Sequence, residues 1–449
     1  MPKWTGNEAR NVLSSETAAK MLGNLPSISF GLAKDPSIGT PAYVYDLDAI
    51  AAEARELLRA MEVPKGGTQA DGLVAYAVKA NAAGPIVRAL AREGCGADVV
   101  SGAELMLALA CGMQPAHIVY SGVAKTDDEL DLAIARGICA IQAESIEELD
   151  RVDARARAAG KIARVSIRVN PQVDAEDIGT HAHITTGHDE AKFGVPRGDV
   201  DLALARAAAL PSTKLVGVAC HVGSQLTSVE PYVQSARVLF GVAAQARGAG
   251  APLEFVDTGG GFGIDYGAGC AVRPADFVRA TRGAMVDAGV ADLSLHVEPG
   301  RALVAAHGVL VARVIQAKET RIGTARRWLM IDAGMNDLLR PALYQARHRV
   351  VALGEGEGAG NGDGANVPWR GGGPVCESSC DFGEHLLPAR PPAFVAILDV
   401  GAYGFTMASQ YNGRALPVEV FLRAGRVVAK TERAPRAAWV DERASIREA

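Results

Sequence analysis

The stretch Leu73-Val74-Ala75-Tyr76-Ala77-Val78-Lys79-Ala80-Asn81 decides how this chain is read. Its apolar run is too short for an ordinary helix and ends abruptly in a lysine. A run apolar at every position suits a strand buried on both faces, the habit of parallel sheets. Seven further runs of this kind follow at 97–100, 118–120, 140–142, 163–169, 215–221, 253–257 and 293–297. Amphipathic stretches at 85–93, 103–110, 126–136, 145–159 and 231–247 lie between them and predict helices. Ser145, with Glu148 three residues on, reads as a capping box. Eight strands with intervening helices or long loops is the count of a (β/α)8 barrel. A doubly wound open sheet is the rival, but it usually stops at about five to seven strands.

Outside this region the texture changes. Segments 309–318, 327–331, 394–399, 418–423 and 426–430 are closely spaced and rich in β-branched residues. They predict a second, mainly antiparallel β domain. A strand pattern at 41–45 is expected to join it. The expected division is therefore α/β: a TIM-like barrel over 46–303, and a β domain from 1–45 plus 304–449. The segment 354–366 (GEGEGAGNGDGAN) reads as a surface loop.

Composition excludes several functions. The 449 residues carry 46 Lys+Arg against 51 Asp+Glu, a formal charge of −5. No basic nucleic-acid footprint is expected from that balance. No apolar run approaches the ~20 residues of a membrane span, and the N-terminal residues lack a signal-peptide pattern. Seven scattered cysteines, an odd number, suggest reduced thiols and a cytoplasmic protein. Cys376 and Cys380 are the one close pair, with no second pair or histidine pair beside them, so no metal site is expected. His181, His183 and His188 are read as part of a solvated loop.

Barrel chemistry sits at the C-terminal strand ends. The first run ends in Lys79. A lysine there either snorkels to the rim or serves as a Schiff-base amine whose burial lowers its pKa. The second run holds Asp98, and the sixth leads into His221-Val222-Gly223-Ser224. The seventh ends in Asp257-Thr258-Gly259-Gly260-Gly261, and the eighth in Glu298-Pro299-Gly300-Arg301. Glycine-rich loops after the last two strands are the usual phosphate cradle of such barrels. A lysine, a phosphate cradle and a carboxylate together point to pyridoxal 5'-phosphate (PLP).

These motifs resemble those of the fold-type III PLP decarboxylases. Three later stretches narrow the resemblance: Gly334-Met335-Asn336-Asp337-Leu338-Leu339-Arg340-Pro341-Ala342-Leu343-Tyr344, Gly373-Pro374-Val375-Cys376-Glu377-Ser378-Ser379 and Gly401-Ala402-Tyr403. The chain thereby resembles the diaminopimelate decarboxylase family from about residue 40 to 430. The resemblance implies that Lys79 holds PLP, with Asp98 beside it and His221 stacked on the ring. It implies that Ser224, Gly259, Gly260, Gly261 and the Pro299-Gly300-Arg301 stretch serve the phosphate, helped by Tyr403. Glu298 would face the pyridine nitrogen and keep it protonated. Related racemases place an arginine there, so Glu298 favours decarboxylation.

Substrate contacts implied by the resemblance are Arg301, Arg340, Tyr344, Glu377 and Tyr403. An arginine fork suits a carboxylate, and Glu377 suits an ammonium, so together they suit the distal amino-acid group of meso-2,6-diaminopimelate. Cys376 matches the proton donor to the carbon that lost CO2. In the family the Cys-Glu pair reaches the neighbouring subunit's site, which implies a homodimer. Cys380 departs from the pattern, with Asp381 one position later than the family's acidic residue; the shift is read either as altering the loop or as allowing a regulatory disulfide on oxidation. The expected activity is decarboxylation of diaminopimelate to L-lysine, the last step of lysine biosynthesis. The alternatives are a decarboxylase of ornithine, arginine or a carboxylated polyamine, an amino-acid racemase, and a non-catalytic PLP-binding protein.

Overall fold

Strand β1 (Ala42–Asp46) is the first strand of the chain as described, and it belongs to a sheet whose other members lie more than 250 residues later. The computed structural model describes residues 25–63, 71–172, 192–267, 272–320, 326–354 and 366–446. His181, His183, His188 and residues 355–365 of the glycine-rich segment lie outside the described residues. The chain forms two compact units, one of Ile50–Ile264 with Ala271–Leu303, the other of Met1–Ala49, Asp265–Cys270 and Val304–Ala449.

The first unit is a closed parallel barrel. Its strands are β2 (Leu73–Ala77), β3 (Gly96–Val99), β4 (Ile118–Tyr120), β5 (Ala140–Ala143), β6 (Ala163–Arg168), β7 (Thr213–Ala219), β8 (Phe255–Asp257) and β9 (Ser294–Val297). β9 pairs back onto β2 through Leu73↔His296 and Val74↔Val297. All eight expected runs are strands, with no end shifted by more than two residues. Every residue of β2, β3, β4, β5 and β8 is buried, which explains their mostly apolar character; the exceptions, Asp98, Gln142 and Asp257, lie toward the C-terminal ends. Gly217 on β7 leaves room for the Phe255 ring, since a Cβ there would lie 2.4 Å from it.

The helix caps differ from expectation in one respect. A full capping box forms at Thr126 and Glu129, opening helix Asp127–Arg136. At helix Ile146–Ala158 the box is half made: Ser145 Oγ accepts the Glu148 N–H at 3.1 Å, but Glu148 does not reach back. Its carboxylate instead accepts the Glu144 N–H at 2.8 Å and pairs with Lys125 Nζ at 3.1 Å. Lys125 is buried, and an unpaired ammonium there would cost several kcal/mol, on the order of the ion desolvation penalty. That demand outweighs the reciprocal cap.

The second unit is a nine-stranded sheet. The path runs β14 (Asp381–Pro388), β13 (Asn366–Gly372), β11 (Arg327–Ile331), β10 (Gly308–Glu319), β1, β16 (Val418–Arg423) and β17 (Arg426–Lys430). β15 (Phe394–Ile397) pairs with β10, and β12 (Val350–Leu353) with β15. The pairings are antiparallel except β1 with β16 and β11 with β13, so the sheet is mainly antiparallel. Val44, Val309, Val311, Ala396, Val418 and Val420 form its core with Leu25, Leu353 and Leu398.

Candidate active site

In the barrel unit, β2 stops at Ala77 and a single 3-10 turn, Val78–Ala80, carries Lys79. Two hydrogen bonds shape this turn. Tyr76 OH donates to the Asn81 carbonyl at 2.9 Å, and the Ala77 N–H donates to the Pro299 carbonyl at 3.0 Å. Lys79 Nζ pairs with Asp98 on β3. The Asp98 side chain is wholly buried, whereas that of Lys79 is 38% exposed, so the amine remains reachable. Asp98 Oδ1 is a buried acceptor with no hydrogen-bond partner among the described residues.

His221 follows β7. Burial, then the Arg168 and Lys79 charges, push its pKa down to about 3, so the ring is neutral at ordinary pH. Its Nδ1 accepts the Gly260 N–H at 3.2 Å, which places the ring proton on Nε2. The Gly259 N–H donates to Asp257 Oδ1 at 2.9 Å. Two of the three glycine N–H groups thus hold neighbouring side chains. All three glycines also permit close backbone approach: an added Cβ would lie 2.5 Å from the Cys220 carbonyl at Gly259, 1.9 Å from that of Glu298 at Gly260, and 2.3 Å from that of Gly223 at Gly261. Tyr232 backs the loop, its OH 2.8 Å from Thr258 Oγ1 and its ring against Phe262 and Phe277.

Glu298 sits directly after β9 and is buried. Its Oε1 accepts Gln142 Nε2 at 2.8 Å and Ser121 Oγ at 3.4 Å, while Gln142 Nε2 also donates to Asp257 Oδ2 at 3.1 Å. Asp257 and Glu298 therefore form one buried acid pair. Burial first, then the Asp257 charge, raises Glu298 well above the usual carboxylate range. Burial likewise pushes Asp257 up to about 7, against the hydrogen bond from the Gly259 N–H. Two buried carboxylates this close do not both ionise. Pro299 and Gly300 are occupied locally: the Pro299 carbonyl holds Ala77, and the Gly300 carbonyl accepts the Leu303 N–H at 3.1 Å. Arg301, buried, donates from Nη2 to Ser224 Oγ at 2.9 Å. Of the residues expected in the barrel, the structure thus joins Lys79 to Asp98, His221 to Gly260, and Arg301 to Ser224.

The sheet unit carries the others. Arg340 and Tyr344 open and close the short helix Arg340–Tyr344, and a spacing of four puts them on one face. Cys376 and Glu377 are exposed, on a loop held from 411–412: the Cys376 N–H donates to Asn412 Oδ1 at 3.0 Å and Tyr411 OH donates to Glu377 Oε1 at 2.7 Å. Cys380 faces inward; its Sγ accepts the Met335 N–H at 3.3 Å, and Gly373 leaves it space. This gives Cys380 a packing role the sequence did not suggest. Tyr403 is half-buried with φ +56°. The sequence reading missed Gln142, Ser121, the pairing role of Asp257, Tyr411 and Asn412. Gln142 and Asp257 occupy C-terminal ends of barrel strands, and Ser121 directly follows one, so listing every polar residue at those ends would have found them.

Residues 48–305 match the family described as "Pyridoxal-dependent decarboxylase, pyridoxal binding domain". That match and the barrel site make the class plain: a PLP-dependent decarboxylase built on a (β/α)8 barrel. Diaminopimelate decarboxylase of Zymomonas mobilis is 37% identical over 386 residues, 86% of this chain and 88% of the relative. That of Pseudomonas aeruginosa is 39% identical over 392 residues, with the same coverage. The crystal structure of the Helicobacter pylori diaminopimelate decarboxylase, complexed with L-lysine, superposes with TM-score 0.80 at 35% identity, covering 90% of this chain and 97% of that one. The chain belongs to the diaminopimelate decarboxylase family. A chlorella virus arginine decarboxylase, at 19% identity and TM-score 0.74, shares the fold alone.

The residues present fit PLP. Lys79 offers an amine beside a buried carboxylate, and His221 a neutral ring. The glycine turn with Ser224 and Arg301 offers a phosphate a side-chain-free rim and a cation. The buried Glu298–Asp257 pair holds a proton that a basic ring nitrogen could take. Among the described residues no cluster of His, Cys, Asp and Glu could hold a metal ion. No helix among them is long and apolar enough to cross a membrane.

Proposed function

We propose that this protein removes CO2 from meso-2,6-diaminopimelate to give L-lysine, the closing reaction of lysine biosynthesis, in the cytoplasm. The observation that carries decarboxylation is the buried Glu298–Asp257 pair bridged by Gln142. When bound, PLP supplies the sink for the electron pair that the departing CO2 leaves behind. Lys79 would hold it covalently and His221 would lie against its ring. Ser224, Arg301 and Gly261 would bind its phosphate with help from Tyr403; Gly259 and Gly260 contribute mainly by lacking side chains.

The chain's own residues manage the protons. Glu298, raised by burial, keeps a proton on its carboxyl while no cation faces it. Glu298 would give that proton to a basic nitrogen placed beside it, and its carboxylate would then stabilise the cation so formed. Gln142 fixes the orientation of Glu298 so that the exchange needs no rearrangement. Cys376 delivers the proton that replaces CO2 on the substrate carbon. A thiol is one of the side chains that serve as general acids.

Arg340 and Tyr344 would hold the distal carboxylate of the substrate, and Glu377 its distal ammonium. In this reading the exposed Cys376–Glu377 loop completes the site of a second copy, in a two-fold homodimer. Its exposure supports that use, since a proton donor must reach its substrate. The test is incubation of the purified holoenzyme with diaminopimelate, ornithine, arginine and L-lysine in parallel, measuring CO2 and L-lysine. Release from diaminopimelate alone is expected. Release only from the others would overturn the substrate assignment.

A further inference from the structure

Arg340 is buried, and its Nη1 is held by two acceptors, Tyr266 OH at 3.0 Å and His348 Nε2 at 2.9 Å. The guanidinium also lies over the Tyr266 ring, 5.1 Å from its centre, and that ring meets His348 edge-on at 5.3 Å. The opposite nitrogen of His348, Nδ1, is 2.9 Å from the Leu398 carbonyl. A carbonyl can only accept and a guanidinium can only donate. Both neighbours therefore require the same tautomer, a neutral imidazole with its proton on Nδ1 and its lone pair aimed at Arg340. A doubly protonated ring would set an N–H against an N–H.

The anchor behind His348 is rigid. The Leu398 N–H donates to the Arg349 carbonyl at 2.8 Å. Arg349 grips the fully buried Asp399 with Nε at 2.9 Å and Nη2 at 2.7 Å. Two consecutive residues on each side, 348–349 and 398–399, thus lock together. The locked segment 398–399 leads directly into Val400-Gly401-Ala402-Tyr403. One support therefore underlies both Arg340 and the turn that carries Tyr403.

We propose that His348, with Tyr266, is the positioning residue that aims the Arg340 fork at the substrate's distal carboxylate, and so sets selectivity for ligands bearing that group. This rests on the reading of Arg340 as the carboxylate clamp. An arginine fork has narrow geometry, and fixing one nitrogen in advance removes the ordering cost on binding. His348 need touch neither substrate nor cofactor to do this.

Two ligands separate the proposal from a general loss of structure. L-lysine retains an α-amino-acid end; cadaverine (1,5-diaminopentane) has the same length without the carboxylate. Their binding to the holoenzyme is measured by calorimetry, with KM and kcat for diaminopimelate alongside. His348→Asn keeps a donor for Leu398 but loses the acceptor for Arg340. It should weaken L-lysine and raise KM by about tenfold or more, the scale of a lost hydrogen bond to a charged group, while cadaverine binding stays within about twofold and kcat changes little. His348→Gln restores an acceptor toward Arg340 and should recover most of the L-lysine affinity. Equal loss of both ligands in His348→Asn, or no loss of either, overturns the proposal. Should His348→Asn not fold, Tyr266→Phe removes the other acceptor and carries the same expectation for the two ligands. Arg340→Ala tests the underlying reading: if it leaves L-lysine binding intact, the clamp assignment itself is wrong. If it abolishes binding while His348→Asn does not, only the positioning role falls.

Discussion

Gly260→Ala is the sharpest probe of the glycine loop after β8. Gly259 and Gly261 have φ of +70° and +95°, so alanine at either would add backbone strain to any steric effect. Gly260 lacks a positive φ, and its substitution is a purely steric experiment. The new methyl would lie 1.9 Å from the Glu298 carbonyl oxygen and 2.8 Å from its carbon. An ordinary contact needs about 3.4 Å, so the ends of β8 and β9 must part by roughly 1.5 Å. The Glu298 N–H to Gly259 carbonyl bond, now 2.8 Å, cannot survive that separation unchanged.

Overpacking of this kind costs about 1–3 kcal/mol, and the strained hydrogen bond adds about 1 kcal/mol. The sum predicts a Tm lower by on the order of 5–15 °C for a barrel of this size. Glu298, His221 and the loop move together, and a displacement near 1 Å at such a site lowers turnover by about 100-fold. The assay is thermal unfolding of the PLP-free protein, followed by PLP titration at its visible absorbance and steady-state kcat. Gly283→Ala is the control. Gly283 lies exposed in helix Pro274–Asp287, its added Cβ meets nothing within 4 Å, and alanine there should stabilise by about 1 kcal/mol. If Gly260→Ala matched that control in Tm, PLP affinity and kcat, the close approach of loop and strand end would be refuted.

Lys79→Ala should abolish the visible absorbance of bound PLP, and Cys376→Ser should retain it with turnover largely lost. Mixing the two inactive variants under subunit exchange should restore about a quarter of the activity, because half the dimers are mixed and half their sites intact; no recovery would refute the shared site. Glu419, buried and accepting Tyr45 OH at 3.0 Å, is pushed by burial from 4.5 up to about 7. The folded state therefore holds a proton between those values that the unfolded chain has released, so this group's stabilising contribution is full below about 4.5 and is lost as pH rises toward 7. Glu419→Gln should match the parent near pH 4.5 and exceed it by roughly 3 kcal/mol above pH 7 in urea unfolding; a pH-independent difference would refute the assignment.

Much of the barrel was legible in order along the chain. The barrel strands are buried along most or all of their length, and that leaves a local mark, a short and mostly apolar run closed by a polar residue or glycine. Lys79, Asp98, His221, the glycine turn and Glu298 each stand at or just beyond such a run, so their common rim followed from the count of strands. The sheet unit was less legible. β12, β13 and β14 were not anticipated, because β13 contains Pro368 and two glycines and β14 contains Gly383. Such residues weaken a strand signal that tertiary pairing then overrides.

By itself the sequence determined the barrel, the lysine just past the first barrel strand and the acid just past the eighth, since each is written within a few adjacent residues. Only the tertiary structure decided how those groups are conditioned. Asp257 meets Glu298 because β8 and β9 are neighbours, and Gln142 reaches both from β5, more than a hundred residues earlier. His348 takes its tautomer from Leu398, fifty residues on. Protonation and orientation depend on distance, burial and donor geometry in space, and none of these is a property of adjacency along the chain.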